Sequence, residues 1–164
     1  MKTKNLFWIS LVFFLAVMAG MLWSEQQAGC GKIIIPLEMA ENIAAFKQMV
    51  ANCNLLWIER NTELDFLFLI SYTATLIFAF RWLMGHLAMR ATLLPLTWLL
   101  VVPALCDAVE NVHLIKFLHA DEATVSTGTF GIYYWCVRVK FALLVIALVI
   151  LLVLLGKRFF GKQA

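Results

Sequence analysis

The segment Cys106-Asp107-Ala108-Val109-Glu110-Asn111-Val112-His113 ends a strongly apolar run, Ala91 to Leu105, and attaches two carboxylates and an amide to it. Residues three and four apart share a helix face, so Asp107, Glu110 and Asn111 project together. Two carboxylates at this spacing suit general acid–base work. Burial and a like charge raise the proton affinity of one, and a nearby cation lowers it. The same oxygens also suit a hard cation whose shell is completed by waters. On a membrane-length apolar segment such groups are costly without partners, and so mark a functional site by default.

Partners for this cluster are available elsewhere in the chain. Arg138 and Lys140 lie at the matching depth of the last apolar run. They are two residues apart, about 200° around a helix, so only one can point inward. Lys140 is deeper and shares a face with Cys136 and Tyr133, so it is the expected inward cation. Arg138, nearer the surface and able to snorkel, is the alternative. Asp65 and Tyr72, seven apart, share a face of the second apolar run, with Tyr72 about 10 Å deeper. The Tyr72 hydroxyl is a natural donor to the carboxylates of the third run. Asp65 reads first as a boundary anchor. Glu38, just after Pro36, is expected to enter the same mouth from above, with Trp57 and Trp135 as its walls. His113 is expected at headgroup level and His86 and His119 in loops. The plainer alternative is that the whole network only fixes helix register.

These residues need elements to hold them. The chain has 164 residues, of which 63% are hydrophobic and 14% charged. A soluble domain is roughly half apolar and a quarter charged. The expectation is therefore an all-α integral membrane protein, a single domain over residues 1–164. Its four spans lie at about 6–23, 66–84, 91–118 and 132–156, in an up-down-up-down bundle. The first run follows Lys2 and Lys4 as a signal peptide would, but is expected to stay as the first span. Pro95 and Pro103 fall inside the third. The loop 24–64 is expected to carry one short amphipathic helix over 36–50, where Leu37, Ala40, Ala44 and Ile43, Phe46, Val50 recur at helical spacing.

Lys2, Lys4, Arg81, Arg90, Lys157, Arg158 and Lys162 gather on one side of these spans, whereas the loop 24–64 has only Lys32, Lys47 and Arg60. By the positive-inside rule both termini are cytoplasmic and the loop is outside. The reading is a multi-pass protein, of a bacterial inner (plasma) membrane. No basic stripe with interleaved aromatics is present, which excludes a nucleic-acid partner.

Four cysteines, Cys30, Cys53, Cys106 and Cys136, allow three pairings. A Cys30–Cys53 bridge in the outer loop is the expected one, and Cys106 and Cys136 read as small buried hydrophobes. The absence of Cys-x-x-Cys excludes a thioredoxin-like site and a zinc knuckle. It also separates the chain from quinone-linked disulfide-forming membrane oxidases. Gly128-Thr129-Phe130-Gly131 is a turn and not a phosphate loop. No nucleophilic triad is visible, and the three scattered His give no basis for zinc, copper or haem, so no metal and no cofactor are expected. A proton or cation path is the weakest reading, because the inner half has no acidic residues to continue it.

The residues therefore point to an acidic polar site (Asp107, Glu110, Asn111) in the outer half of the bundle. Its expected ligand is an amphipathic or lipid-derived small molecule, and its expected surroundings are the lipid bilayer. The alternative is a non-catalytic structural or accessory membrane subunit. The sequence does not decide whether a reaction follows binding.

Overall fold

Runs of Leu, Val, Ile and Phe broken by few polar residues wind into four long helices: α1 (Thr3–Gln27), α4 (Leu55–His86), α5 (Leu93–His119) and α6 (Thr127–Phe160). Two short helices, α2 (Ile34–Glu38) and α3 (Ile43–Val50), join the first to the second, and a 3-10 turn at Glu122–Thr124 joins the last two. The computed structural model describes residues 3–87 and 93–160, with the backbone alone at His86, Leu93 and Leu94. Lys2, Arg90, Lys162 and the expected start of the third span at 91 lie outside the described residues, as does the His86 side chain. No strand occurs among the described residues. The long helices have 25, 32, 27 and 34 residues. Each is long and apolar enough to cross a bilayer.

Each long helix runs antiparallel to the one it packs on. Phe7 near the start of α1 stacks on Trp82 near the end of α4, with ring centroids 5.6 Å apart. At the opposite end Asn61 donates to the Met21 carbonyl at 2.7 Å. α4 pairs with α5, and α5 with α6, while α1 packs chiefly against α4. α1 and α6 consequently face each other across a cleft with little direct contact. The described basic residues Lys4, Arg81, Lys157 and Arg158 share one end of the bundle, where the Arg158 guanidinium lies 4.1 Å over the Trp82 ring.

Four features differ from the sequence reading. α6 runs from Thr127 to Phe160 rather than over 132–156, so Gly128-Thr129-Phe130-Gly131, expected as a turn, lies inside the helix. α1 continues to Gln27 rather than stopping at 23. α4 starts at Leu55, well before 66, so the connecting segment is much shorter than 24–64. Glu59, Arg60 and Glu63 gave that stretch the composition of a loop. In the helix Arg60 and Glu63 pair on the exposed side at 2.8 Å, while Ile58, Asn61 and Thr62 are buried. The single amphipathic helix expected over 36–50 is two helices. The chain leaves α2 after Glu38, because Leu37 and Glu38 are drawn into the bundle. It restarts at Asn42, whose side chain caps α3 by accepting the Ala45 N–H at 2.8 Å. Pro95 lies in the first turn of α5, where a missing N–H is harmless, and Pro103 is accommodated inside the continuous helix.

Two apolar clusters fill the ends of the bundle. One joins Leu37 and Phe46 of the short helices to Ile58, Leu114, Phe117, Phe130 and Tyr133. The other joins Phe80, Leu83 and Met84 to Leu100, Ala147 and Leu154. Between them lies a buried polar layer that includes Asp65, Tyr72, Asp107, Glu110, Asn111 and Lys140.

The short helices are fastened over one end of this layer. Cys30 and Cys53 form a disulfide with Cα atoms 5.3 Å apart. Gly29 and Gly31 flank Cys30 with φ of 77° and 76°, a left-handed conformation that a side chain would strain. Beside the bridge the Asn54 N–H donates to the Ala28 carbonyl at 2.9 Å. A loop of this size is stabilised by about 2–4 kcal/mol when closed by a disulfide. Cys30→Ser and Cys53→Ser are expected to lower the thermal midpoint equally, and reductant should lower wild type to the same value. Unfolding scans in detergent, with and without reductant, check this.

Candidate functional site

Lys140 occupies a core position. Phe130, Tyr133, Val137, Lys140, Ala147 and Leu154 are the buried residues along one stripe of α6, spaced by three, four or seven. The side chain of Lys140 therefore points where an aliphatic residue would, into the layer between the two apolar clusters. Its Nζ lies 3.0 Å from Asp107 Oδ1, 3.2 Å from Glu38 Oε2 and 2.7 Å from Glu110 Oε2. The first two are hydrogen bonds. The third is a close ion pair whose alignment is poor for a hydrogen bond, since neither Glu110 carboxylate oxygen has a hydrogen-bond partner. One ammonium thus joins α2, α5 and α6.

The remaining carboxylate contacts come from α4 and α5. The Tyr72 hydroxyl donates to Asp107 Oδ2 at 3.1 Å. Asn111 Nδ2 donates to Asp65 Oδ2 at 2.7 Å. Spacing explains the geometry: Asp65 and Tyr72 are two turns apart on α4, facing Asn111 and Asp107, one turn apart on antiparallel α5. α2 is held over the layer by the Tyr133 hydroxyl, which donates to the Leu37 carbonyl at 2.7 Å. This places Glu38 against Lys140. Burial pushes the Glu38 carboxyl up from the usual carboxylate range, and the Lys140 ammonium opposes that shift.

Asp107, Glu110, Asn111, Tyr72, Lys140, Asp65 and Glu38 are therefore brought together. Arg138 is not. Its guanidinium lies 3.1 Å over the Tyr134 ring and donates to the Tyr134 carbonyl at 3.2 Å, so it snorkels along its own helix. Asp65 is buried and hydrogen-bonded within the layer, not an exposed boundary anchor. Neither expected Trp wall is present. Trp57 packs edge-on against Trp23 on the other side of α1 and α4, and Trp135 is 65% exposed. His113 turns away, with Nδ1 2.8 Å from the Val109 carbonyl oxygen. His119 ends α5 and meets Glu59 at 3.2 Å. Cys106 and Cys136 are free thiols.

Beside this network a cavity of about 380 Å³ remains. Its volume falls within the range of small-molecule sites. Glu38, Asp65, Tyr72, Asp107 and Lys140 form its polar wall, Glu25 and Lys32 also line it, and most of the rest is apolar. Met18, Met21 and Leu22 of α1 face Phe141 and Leu144 of α6 across it. The sequence reading did not include Asn61, which lines the cavity one turn before Asp65 and is 1% exposed. Its Nδ2 donates to the Met21 carbonyl and to Ser24 Oγ, which leaves Oδ1 buried without a partner. The spacing Asn61, Asp65, Tyr72 carries this signal in the sequence, but Asn61 falls within the expected loop 24–64.

Comparison with known protein families, curated proteins and solved structures gives no match.

Removing one partner of a buried ion pair costs about 3–5 kcal/mol, because the other charge is left uncompensated. Lys140→Met should cost that much in denaturant unfolding in micelles. Adding Glu110→Gln to Lys140→Met should recover part of the loss. Arg138→Gln, outside the layer, should stay within about 0.5 kcal/mol of wild type.

Proposed function

We propose that the chain is a multi-pass membrane protein of a bacterial inner membrane that binds an amphipathic, lipid-derived molecule in the cavity beside Lys140. The observation that carries this reading is that space of about 380 Å³ remains after the buried charges have paired. A network that served only to set helix register would be expected to close on itself, since voids in a packed core forfeit contacts. The wall chemistry supports an amphipathic ligand: charged and amide groups cluster at one end, and Met, Leu and Phe side chains line the rest. The loose α1–α6 cleft supports entry from the side, directly from the bilayer.

In this reading both termini are cytoplasmic and the short helices α2 and α3 form an outer cap. The grouping of Lys4, Arg81, Lys157 and Arg158 at the opposite end supports that orientation. The disulfide in the cap supports an oxidising compartment there. A second reading, a structural or accessory subunit, is favoured by the saturation of Lys140 with three carboxylates.

The two readings separate in one experiment. Protein purified in mild detergent is examined by native mass spectrometry and by extraction of bound lipid. Wild type should retain a discrete amphipathic species. Asp107→Asn, at the cavity wall, should lose it while folding. Leu144→Trp fills the apolar part without touching an ion pair and should lose it too. An empty wild type, with Leu144→Trp folding and behaving identically, supports the structural reading instead.

A further inference from the structure

Building on that binding reading, we infer that the cavity takes a cationic hydrogen-bond donor, the primary ammonium of an amphipathic molecule, and not an anionic or acceptor-only head.

Donors and acceptors on the polar wall are out of balance. An ammonium has three N–H donors and no acceptor, and a carboxylate accepts only. Lys140 donates to Glu38 and Asp107 and is held in a close ion pair with Glu110. The Tyr72 hydroxyl is used on Asp107, and the Asn61 amide N–H groups are used on α1. Just behind the wall, Asn111 donates to Asp65. Among the described residues, the buried donors at this wall are thus turned onto the protein's own acceptors. Lys32 is at the rim and exposed.

Acceptors, in contrast, are left over. Among the described residues, Asp65 receives its hydrogen bond on Oδ2 and Glu38 is engaged through Oε2, with no bond to Asp65 Oδ1 or Glu38 Oε1. Asn61 Oδ1 is buried with no partner, although a buried amide oxygen ordinarily has one. Its assignment as oxygen is fixed by the two acceptors, the Met21 carbonyl and Ser24 Oγ, that the other amide atom must serve. A phosphate, carboxylate or quinone carbonyl arriving here would find acceptors facing acceptors. A donor would find Asp65, Asn61 and Glu38 unfilled.

Charge selects among donors. Glu38, Asp65 and Asp107 at the wall, with Glu110 behind them, face Lys140 as the buried cation of the layer. A ligand ammonium favours the ionised form of these buried carboxyls, whereas a neutral hydroxyl does not. The carboxylates surround Lys140 and are not arranged to hold a metal ion: among the described residues no group of three or more His, Cys, Asp or Glu is so placed. The apolar remainder of the cavity, between α1 and α6, suits an alkyl chain.

The test uses purified full-length protein in micelles. Three probes share one chain and differ in the head: hexadecylamine, 1-hexadecanol and hexadecyl phosphate. Binding is titrated by native mass spectrometry. A hydrogen bond between two charged groups outweighs one made by a neutral donor, so the amine should bind at least about tenfold tighter than the alcohol. The phosphate should bind weakest. Non-specific attraction would give the opposite order, because the chain carries a formal net charge of +3. Asp65→Asn still accepts from Asn111 and should fold. It should weaken the amine about tenfold and leave the alcohol unchanged. If the alcohol or phosphate matches the amine, and that binding disappears in Leu144→Trp, the cavity binds but the assigned head is wrong. An amine affinity unchanged by Asp65→Asn also overturns the assignment. If no probe binds, or none responds to Leu144→Trp, the binding reading itself fails and takes this inference with it.

Discussion

One ammonium group holds the polar layer together. Lys140 meets carboxylates from α2 and α5 within 3.2 Å, and so connects the cap, the third long helix and the fourth. Burying any of these charges singly would cost several kcal/mol after relaxation. Burying them as a cluster spreads that cost across mutual attraction in a medium of low dielectric constant. The arrangement also fixes position. Turning α6 by one residue would aim Lys140 away from α5, and lifting α2 would withdraw Glu38. The Cys30–Cys53 bridge and the Tyr133–Leu37 hydrogen bond act on the same geometry from above, holding the cap so that Glu38 stays in place.

Apolar packing brackets this layer. The clusters around Phe117 and Phe80 lie at its two ends, so α4, α5 and α6 meet firmly both above and below the charges. α1 is held differently. It lies along α4, with Phe7 on Trp82 at one end and Asn61 on the Met21 carbonyl at the other, and barely meets α6. The space beside Lys140 follows from that asymmetry: α1 packs closely on α4 but stands off from α6, which leaves a cleft between them. A donor-poor, acceptor-rich patch at the inner end of an apolar cleft is suited to the polar head of a molecule whose tail stays in lipid.

Much of this arrangement was legible in the chain. The i, i+3, i+4 spacing of Asp107, Glu110 and Asn111 put them on one face, and the seven-residue separation of Asp65 and Tyr72 did the same on α4. The angular argument that only one of Arg138 and Lys140 could point inward selected Lys140, and Arg138 lies along Tyr134. What stayed hidden has physical causes. Glu59, Arg60 and Glu63 resemble a loop by composition, yet they are the wet side of a helix whose dry side carries Asn61. The break between α2 and α3 depends on Leu37 and Glu38 being drawn inward, a tertiary effect that helical spacing over 36–50 could not register. α1 is apolar on all sides, so no periodicity reveals which of its faces lines a cavity.

The central claim is that this cavity holds a particular molecule in the membrane and is not merely a gap filled by bulk lipid. Site-specific photo-crosslinking in intact membranes tests it most directly, with a benzophenone amino acid placed at Leu22 in the cavity wall and, as a control, at Leu152 on the exposed side of α6. The account predicts one discrete adduct mass from Leu22, reduced by Asp107→Asn, and a spread of bulk phospholipid adducts from Leu152. The same spread of adducts from both positions, indifferent to Asp107→Asn, would contradict it.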